Sequence, residues 1–381
     1  MYNISTMKIV AFYSDKKSNV GPTSPAAINK LNYIIESINR CGKNVELLSL
    51  CTISENKRIK KHSINVNENF VIRYSTCFPK KAFLGKVFHK IFDPLKIFFF
   101  LNKNINKKET IYIYHCNSYL KILKFLIKKK KVNLLLEVEE IYGDVTSDRK
   151  LVLKENRIFN LANYFIFASE SLNRRVNSNN KPSLIVYGSY SEKPVNGKKF
   201  NDEKTHCVYA GTFNEIKGGA ENAIKSALYL DDKYQMHILG FGNDEEKNKI
   251  LSLIEETNLK TKCNVKFEGL LLGQDYDSFL GKCDIGLNTQ NPIGAFNESS
   301  FPSKVLSFMA NGLNVVTFDL PVLRESKISN FMNYCHANNP MSIAETIKSI
   351  NLKKSITQRE YIKKLDDEFV LNLSRMLETN E

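Results

Sequence analysis

The sequence lacks long apolar runs, and glycine and proline are not abundant in it. Its longest strongly apolar run, IFFFL at residues 97–101, is far too short to cross a bilayer. Its 17 glycines and 10 prolines in 381 residues are too few for a disordered or fibrous chain. The first residues turn polar after a short apolar run, unlike a signal peptide. We therefore expect a folded cytoplasmic protein that is neither secreted nor membrane-spanning.

Metal-binding and disulfide patterns are also missing. The cysteines form no CxxC pair and no group with histidine, so the sequence predicts neither a zinc site nor a disulfide framework. We expect buried thiols in a reducing cytosol. The 8 cysteines occupy positions 41, 51, 77, 116, 207, 263, 283 and 335.

Acidic residues are scarce in the first half of the chain. Residues 1–200 contain 35 Lys and Arg against 15 Asp and Glu, whereas residues 201–381 contain 20 against 25. The net charge of +15 therefore arises entirely in the first half. Such a one-sided basic surface favours an anionic partner. No recognition-helix, RNP or zinc-finger pattern appears, so we expect no nucleic-acid partner.

One basic segment, residues 80–108, combines lysines with aromatic residues at helical spacing. An amphipathic helix of this kind can lie in a membrane interface, with rings in the acyl boundary and lysines near anionic headgroups. The same periodicity is typical of a helix that packs its apolar face on the core. The lysine excess favours contact with an anionic membrane surface. The apolar positions are Phe83, Leu84, Val87, Phe88, Ile91 and Phe92, among Lys80, Lys81, Lys86 and Lys90.

The order of predicted elements indicates an α/β protein with two domains, a number that the chain length also favours. Short apolar strands alternate with helices, which is typical of a parallel sheet covered on both faces. The first half has predicted strands at residues 7–14, 45–50, 110–116, 132–138, 164–169 and 182–188, with helices at 25–42, 119–130 and 151–162. The pattern restarts after a polar segment, with strands at 206–212, 235–242, 265–271, 283–289 and 313–319 and helices at 220–230, 244–257, 274–282 and 302–311.

We accordingly predict a first Rossmann-like domain at residues 1–190, a linker at 191–205, a second Rossmann-like domain at 206–350, and C-terminal helices at 351–381 that pack back on the first domain. Two doubly wound domains in series are expected to place their strand ends on a shared cleft. Ligands of such sheets bind outside the carboxyl ends of the strands, near helix N-termini.

Four motifs of the second half occur in a specific order. They are YAGTFNEIKGG at residues 209–219, HILGFGNDEEKNKIL at 237–251, VKFEGLLLGQDYDSFLGKCDIGLNTQ at 265–290 and FPSKVLSFMANGLNVVTFD at 301–319. Together they resemble the donor-binding domain of the GT-B glycosyltransferases, particularly glycosyltransferase family 4. The resemblance implies a GT-B fold, with the first domain for the acceptor and the second for a nucleotide-sugar donor.

The resemblance also implies which residues bind the donor. A departing nucleoside diphosphate gains charge, and these enzymes need no cofactor and no obligatory metal ion. Cationic side chains and backbone amides must stabilise that charge, and we assign Lys217 and Lys304 to this catalytic role. The donor-binding candidates are Gly21, Gly211, Thr212, Lys217, Gly240, Gly242, Glu298, Ser299, Ser300, Phe301, Ser303, Lys304 and Ser307.

Two positions depart from the family pattern. The family commonly has arginine where this chain has Thr212, after the loop glycine. Its paired glutamates correspond to Ser299 and Ser307, with Glu298 one position away. The second glutamate of the family holds the nucleotide ribose, so Ser307 is expected to make a neutral hydrogen bond there instead.

In the first half, candidate residues lie where predicted strands end. His115 ends one strand, and Glu139 and Glu140 end the next, where Glu137 and Glu139 should share one face. Carboxylates at the end of an apolar strand are rarely buried unless paired or functional. We predict that His115, Glu139 and Glu140 bind the acceptor, with His115 and Glu139 in catalysis. A helix-capping or salt-bridge role is an equal alternative for these carboxylates.

These observations predict a cytoplasmic transferase, peripheral at the inner face of the cell membrane. It would move a sugar from a nucleotide-sugar, UDP-linked by preference, to a glycan or lipid-linked acceptor in cell-surface polysaccharide biosynthesis. The family resemblance implies retention of anomeric configuration. Two alternatives stay open: a catalytically silent GT-B-like partner of a glycan assembly enzyme, and a sugar-nucleotide epimerase on the same fold.

Overall fold

The structure of the protein is a computed structural model. The structure describes residues 5–13, 25–50, 60–76, 83–116, 120–193, 199–214, 218–292, 300–352 and 356–378. The chain divides into two compact units. Unit 1 comprises Met1–Ser189 together with Asp367–Glu381, and unit 2 comprises Tyr190–Asp366.

Unit 1 contains a sheet of eight described strands in the order β3-β4-β2-β1-β5-β6-β7-β8. All neighbouring strands are parallel except β3 and β4, which pair in antiparallel fashion. The strand order reverses between β1 and β5, the point where ligands bind in open parallel sheets. The strands are β1 Thr6–Ala11, β2 Asn44–Ser49, β3 His62–Asn67, β4 Phe70–Tyr74, β5 Thr110–Tyr114, β6 Asn133–Val138, β7 Tyr164–Phe167 and β8 Ser183–Ile185.

The central strands are nearly continuous apolar runs, because helices cover both faces of such a sheet. Ile111, Leu134 and Leu136 are fully buried members of the main core of unit 1. Edge strand β3 is different, since HSINVN is polar and mostly exposed. The β3–β4 hairpin was absent from the predicted elements because β3 has no apolar run to reveal it.

The helices of unit 1 agree broadly with the predicted ones. The predicted helices at residues 25–42, 119–130 and 151–162 correspond to α1, α3 and α5. The basic aromatic segment forms α2, which contains Pro94. The helices are α1 Pro25–Arg40, α2 Phe83–Asn104, α3 Leu120–Lys130, α4 Tyr142–Val145, α5 Arg149–Phe159 and α6 Glu170–Val176.

Unit 2 contains six described strands in the order β11-β10-β9-β12-β13-β14. Every neighbouring pair is parallel. The strand order reverses between β9 and β12, so a ligand site is expected at the carboxyl ends of these two strands. The strands are β9 Thr205–Thr212, β10 Tyr234–Phe241, β11 Asn264–Gly269, β12 Ile285–Asn288, β13 Asn314–Thr317 and β14 Met332–Tyr334.

The helices of unit 2 follow the predicted order. The predicted helix at residues 302–311 is the shorter α10, which starts two residues after Pro302. A proline cannot donate a backbone hydrogen bond, so it suits the turn that leads into a helix. The helices are α7 Gly219–Ser226, α8 Asp244–Asn258, α9 Gln274–Leu280, α10 Lys304–Ala310, α11 Pro321–Arg324, α12 Pro340–Ser349 and α13 Ile356–Glu378.

The last turns of α13 belong to unit 1, because Asp367–Glu381 groups with that unit. The Phe369 ring packs against Tyr33 of α1, with ring centroids 5.6 Å apart. Cys41 Sγ donates a weak hydrogen bond to the Val370 carbonyl oxygen at 3.7 Å. Both contacts lie within unit 1 and fix the end of the chain to α1.

The described part of the chain has no membrane-spanning helix and no metal-binding cluster. None of its helices is both long and apolar enough to cross a membrane. Its histidine, cysteine and acidic side chains form no group that could hold a metal ion. Six cysteines fall in these ranges, and all are free thiols. Four of them are buried, whereas Cys41 and Cys116 are half-buried.

Candidate functional site

In unit 2, the carboxyl end of β9 lies against the end of β10. Gly240 of β10 has a positive φ of 152°, and a Cβ added there would overlap the Gly211 carbonyl oxygen. Glycine is therefore required at position 240, since any side chain would push the two strand ends apart. The two predicted glycines lie side by side, with Gly240 paired to Gly211 and Phe241 to Thr212.

The Lys304 side chain reaches the same strand end. Its Nζ lies 4.3 Å from the ring centroid of Tyr209, which is buried in β9. A Cβ added at Gly211 would stand 2.8 Å from Lys304 Nζ, so the absent side chain makes room for the ammonium group. The Tyr209 hydroxyl donates to the Thr212 carbonyl oxygen at 3.1 Å. A cation over an aromatic face is held by the ring quadrupole, so Tyr209 orients Lys304 over the end of β9.

The loop before α7 is fixed by a small polar network. Gly218 has a left-handed φ of 56°, and a Cβ there would overlap the Asn291 amide. Asn222 Nδ2 donates to Asn291 Oδ1 at 2.9 Å and to the Thr289 carbonyl oxygen at 3.1 Å. Thr289 Oγ1 in turn donates to the Gly219 carbonyl oxygen at 2.6 Å. These bonds tie the start of α7 to the segment that follows β12, at the reversal of strand order.

The α10 candidates divide into buried and accessible residues. Phe301 is buried, whereas Ser300, Ser303 and Ser307 are half-buried. Ser307 forms a side-chain hydrogen bond with Tyr276, and burial raises the pKa of that tyrosine. Asn311 Nδ2 donates to the Ser307 carbonyl oxygen at 2.9 Å. Where the family has a glutamate, this chain therefore has a neutral hydroxyl that a tyrosine already contacts.

The presence of glycine at position 242 has a local structural explanation. It precedes Asn243, whose side chain and backbone form a capping box with Glu246 at the start of α8. A Cβ at Gly242 would lie 2.7 Å from Glu246 Oε2. The glycine thus admits the capping carboxylate, which satisfies orphan amides of the helix.

Four of the predicted site residues lie outside the described part of the chain. They are Gly21, Lys217, Glu298 and Ser299.

In unit 1, the carboxylates at the end of β6 surround a buried lysine. Lys30 of α1 forms an ion pair with Glu139, and its Nζ lies 3.6 Å from Glu137 Oε1. Glu137 also accepts a hydrogen bond from the Tyr112 hydroxyl. Burial raises the pKa of Glu137 to about 8, with Lys30 opposing this effect. Glu137 and Glu139 meet the same lysine, as strand alternation predicts, whereas the next residue, Glu140, is half-buried.

His115, at the end of β5, is enclosed by protein. Its Nε2 lies 2.8 Å from Glu155 Oε1, and both side chains are buried. Glu155 also accepts hydrogen bonds from the backbone amides of Tyr142 and Gly143, each at 2.8 Å. The Tyr142 ring stacks on the imidazole at 5.3 Å. These contacts tie the end of β5 to the turn between β6 and α4.

Sequence reasoning missed Lys30, Glu155 and Tyr209. Lys30 and Glu155 sit in amphipathic helices, and nothing in their spacing marks them as buried. Tyr209 read as an ordinary strand residue. The one sequence signal that could have marked Tyr209 as a site residue was its position two residues before Gly211, on the same strand face.

A second titratable cluster lies on the sheet of unit 2. The chain of contacts runs from Asp202 to His206 Nε2 at 2.8 Å, from His206 Nδ1 to His237 Nε2 at 2.9 Å, and from His237 Nδ1 to Glu268 at 2.8 Å. The Phe200 ring stacks over both imidazoles, which are buried. The two buried imidazoles are therefore linked to each other and, at either end, to a carboxylate.

Protonation of both ring nitrogens that face each other in this buried pair would be destabilising. It would bring two N–H groups face to face between His206 and His237. Burial lowers the pKa of His237 below its usual value of 6.5, and the charges of His206 and Lys266 add to this effect, while Glu268 opposes it. Below about pH 6.5, the unfolded chain therefore binds more protons than the folded chain, so acidification reduces stability.

We expect the free energy of unfolding to fall between pH 7.5 and pH 5.5, with a His237 contribution of up to about 1.4 kcal/mol per pH unit. Denaturant titrations of the wild type and His237→Gln at both pH values measure this contribution, since glutamine cannot gain the charge. The exposed His336 provides the control variant, His336→Gln. An identical pH dependence in wild type and His237→Gln would contradict the expectation.

One protein-family model matches the second unit. Residues 191–366 match the family model described as glycosyl transferases group 1. This match covers nearly the whole of unit 2. The sequence has no significant match among curated proteins.

Solved structures resemble the whole chain in fold. Anabaena Alr3699/HepE in complex with UDP has a TM-score of 0.62 at 12% identity, covering 99% of each chain. A UDP-forming alpha,alpha-trehalose-phosphate synthase from Burkholderia vietnamiensis has a TM-score of 0.67 at 7% identity, covering 99% of this chain and 96% of that one. A glycosyltransferase from Rickettsia africae has a TM-score of 0.61 at 13% identity, covering 100% and 98%. At these identities the likeness establishes the fold, which is GT-B.

Proposed function

We propose that the protein is a glycosyltransferase whose donor is a UDP-sugar, because residues 191–366 match the model of glycosyl transferases group 1 and the whole chain has a GT-B fold. The observation that carries this proposal is the Lys304 ammonium group over the end of β9, where the strand order reverses. Positive charge at the carboxyl end of a parallel sheet suits a ligand with a diphosphate.

Lys304 supplies the positive charge that sugar transfer from such a donor requires. Cleavage of the glycosidic bond leaves negative charge on the nucleoside diphosphate, and a fixed cation that meets this charge lowers the barrier. Tyr209 holds the ammonium group without neutralising it, because burial raises the pKa of the phenol and keeps the ring uncharged. Lys217, whose placement the structure does not describe, is proposed as a second cation. We propose a transfer that needs no metal cofactor.

The choice of UDP rests on the structural relatives. The HepE structures contain UDP, alone or with glucose, and the Burkholderia vietnamiensis synthase is UDP-forming. We propose that the Ser307 hydroxyl contacts the ribose in place of the family's glutamate. A hydroxyl offers one donor and two lone pairs, so it can bond to a sugar hydroxyl while it contacts Tyr276.

The acceptor is proposed to bind unit 1 through the end of β6. Glu139 retains some exposure in its ion pair with Lys30, and Glu140 is half-buried. Both carboxylates can accept hydrogen bonds from sugar hydroxyls. His115 is enclosed and paired with Glu155, so we propose that it positions this edge of the sheet. We also propose that the transfer retains the anomeric configuration of the donor sugar, as the family resemblance implies.

The charge of the first half supports a lipid-linked glycan as the acceptor. Residues 1–200 carry 35 basic against 15 acidic residues, which attracts anionic lipid and lipid pyrophosphate. We propose that the protein works at the cytoplasmic face of the membrane, in the assembly of a cell-surface polysaccharide.

Titration calorimetry with UDP and GDP tests the donor. We expect UDP to bind with at least about tenfold higher affinity than GDP, a difference of about 1.4 kcal/mol. A donor screen with a lipid-linked acceptor should then release UDP only when the acceptor is present. UDP binding without transfer from any common donor would favour the catalytically silent partner. Donor turnover without acceptor would favour the epimerase, and absence of nucleotide binding would contradict the proposal.

A further inference from the structure

The outer face of α2 is apolar and exposed to solvent. Phe92, Leu95 and Phe99 are 44%, 46% and 65% exposed, at the spacing of one helix face. The opposite face of the helix is already satisfied, since Ile97 and Leu101 are fully buried in the core of unit 1. The exposed residues are therefore additional to those that the fold requires.

Helix α3 extends the same surface. Phe125 is 45% exposed, and Phe98 packs edge-on against both Phe99 and Phe125, with ring centroids 5.5 and 5.4 Å apart. The three rings thus form a single patch across two helices. We call Phe92, Leu95, Phe98, Phe99 and Phe125 the aromatic patch. Large contiguous apolar patches on a protein surface mark contact sites for proteins or membranes.

Lysines surround the aromatic patch. Helix α3 contains five lysines and no acidic residue, and Lys129 Nζ lies 5.4 Å from the Phe125 ring centroid. Lys103 of α2 is also exposed, as are Lys124 and Lys128 of α3. The acidic residue of α2, Asp93, is paired with Lys96 at 2.8 Å. The described part of α2 and α3 therefore carries an excess of positive charge beside the patch.

We infer that the aromatic patch and its lysines dock on an anionic lipid bilayer. Rings and leucine enter the boundary between headgroups and acyl chains, while lysines remain at the anionic headgroups. A symmetric contact with a second copy would place the same lysines opposite one another, at a cost in repulsion. The inference deepens the proposed function, since a lipid-linked acceptor lies in such a bilayer.

Vesicle flotation tests the surface. The full chain is mixed with phosphatidylcholine vesicles, with or without about one third phosphatidylglycerol, and binding is measured at low and high salt. We expect binding to the anionic vesicles, weakened about 10-fold or more by each of Phe99→Ser and Phe125→Ser. Lys124→Gln and Lys128→Gln should each weaken binding to the anionic vesicles about 5-fold. High salt should reduce the electrostatic contribution that these lysines make to the binding.

Leu259→Ser is the matched control, because Leu259 of unit 2 is 88% exposed and should not affect flotation. Equal flotation of Phe99→Ser and Leu259→Ser would overturn the inference. A lipid-free dimer that Phe99→Ser dissociates would assign the patch to a second copy. Binding of single-stranded RNA that competes with vesicles and depends on Phe99 would assign it to nucleic acid.

UDP titration of the same variants separates this inference from the proposed function. The patch residues take no part in the donor site, so UDP affinity should equal that of the wild type. Vesicle binding by a chain that binds no nucleotide would leave the docking surface standing and refute the donor proposal. Normal UDP binding without patch-dependent flotation would refute the docking surface alone.

Discussion

Replacement of Lys304 with methionine should lower kcat/KM for sugar transfer by about 100-fold or more. The loss of one preorganised group that stabilises transition-state charge typically costs 100-fold to 1000-fold in rate. Methionine keeps much of the length of the side chain and its contact with the Tyr209 ring, so the packing around β9 should persist. Release of UDP in the presence of acceptor measures the rate, and calorimetry with UDP measures the loss of ground-state affinity.

The control for this variant is Lys225→Met, which removes an exposed lysine of α7 that pairs with Glu221 at 3.8 Å. Its activity should remain unchanged. Tyr209→Phe keeps the ring under Lys304 and should stay close to the wild type, whereas Tyr209→Leu should lose activity because the cation is no longer held. Equal activity of Lys304→Met and Lys225→Met would show that the ammonium group does not meet the diphosphate.

Replacement of Glu155 with alanine should reduce the free energy of unfolding of unit 1 by about 3 to 5 kcal/mol. The variant removes the partner of the buried His115 and leaves the amides of Tyr142 and Gly143 without their acceptor. An uncompensated buried polar group costs more than the lost contact alone. Denaturant titration followed by circular dichroism measures the change.

Asn156→Ala is the comparison for Glu155→Ala, since Asn156 is the next residue of α5 and is exposed. It should change stability by less than about 0.5 kcal/mol. If Glu155→Ala kept the stability of the wild type but lost transfer activity, the pair with His115 would act in the reaction. That outcome would support the catalytic role that the sequence predicted for His115.

The fold was largely predictable because it depends on local patterns. Apolar runs such as residues 132–138 became β6, and the amphipathic run at 25–42 became α1. The order of the motifs from Tyr209 onward resembled that of the GT-B glycosyltransferases, and residues 191–366 match the model of glycosyl transferases group 1. The β3–β4 hairpin was missed, because β3 alternates polar residues on an exposed edge and contains no apolar run.

The candidate site was less predictable because side-chain partners come from distant parts of the chain. Spacing placed His115 and Glu139 at strand ends, but their partners Glu155 and Lys30 lie 40 and 109 positions away. A basic aromatic helix was predicted at residues 80–108, with core packing and membrane contact both open. The structure buries Ile97 in the core and exposes Phe99 to solvent. Helix α2 therefore packs one face on the core and leaves another apolar face exposed.

The sequence by itself determined the α/β class and indicated the GT-B fold, because periodicity and motif order are properties of neighbouring residues. The tertiary structure alone decided which charged groups are paired and which apolar groups are exposed. Lys304 stands over Tyr209 because strand β9 and helix α10, nearly a hundred residues apart, meet at the reversal of strand order. Burial and electrostatics depend on such distant contacts, and no local pattern records them.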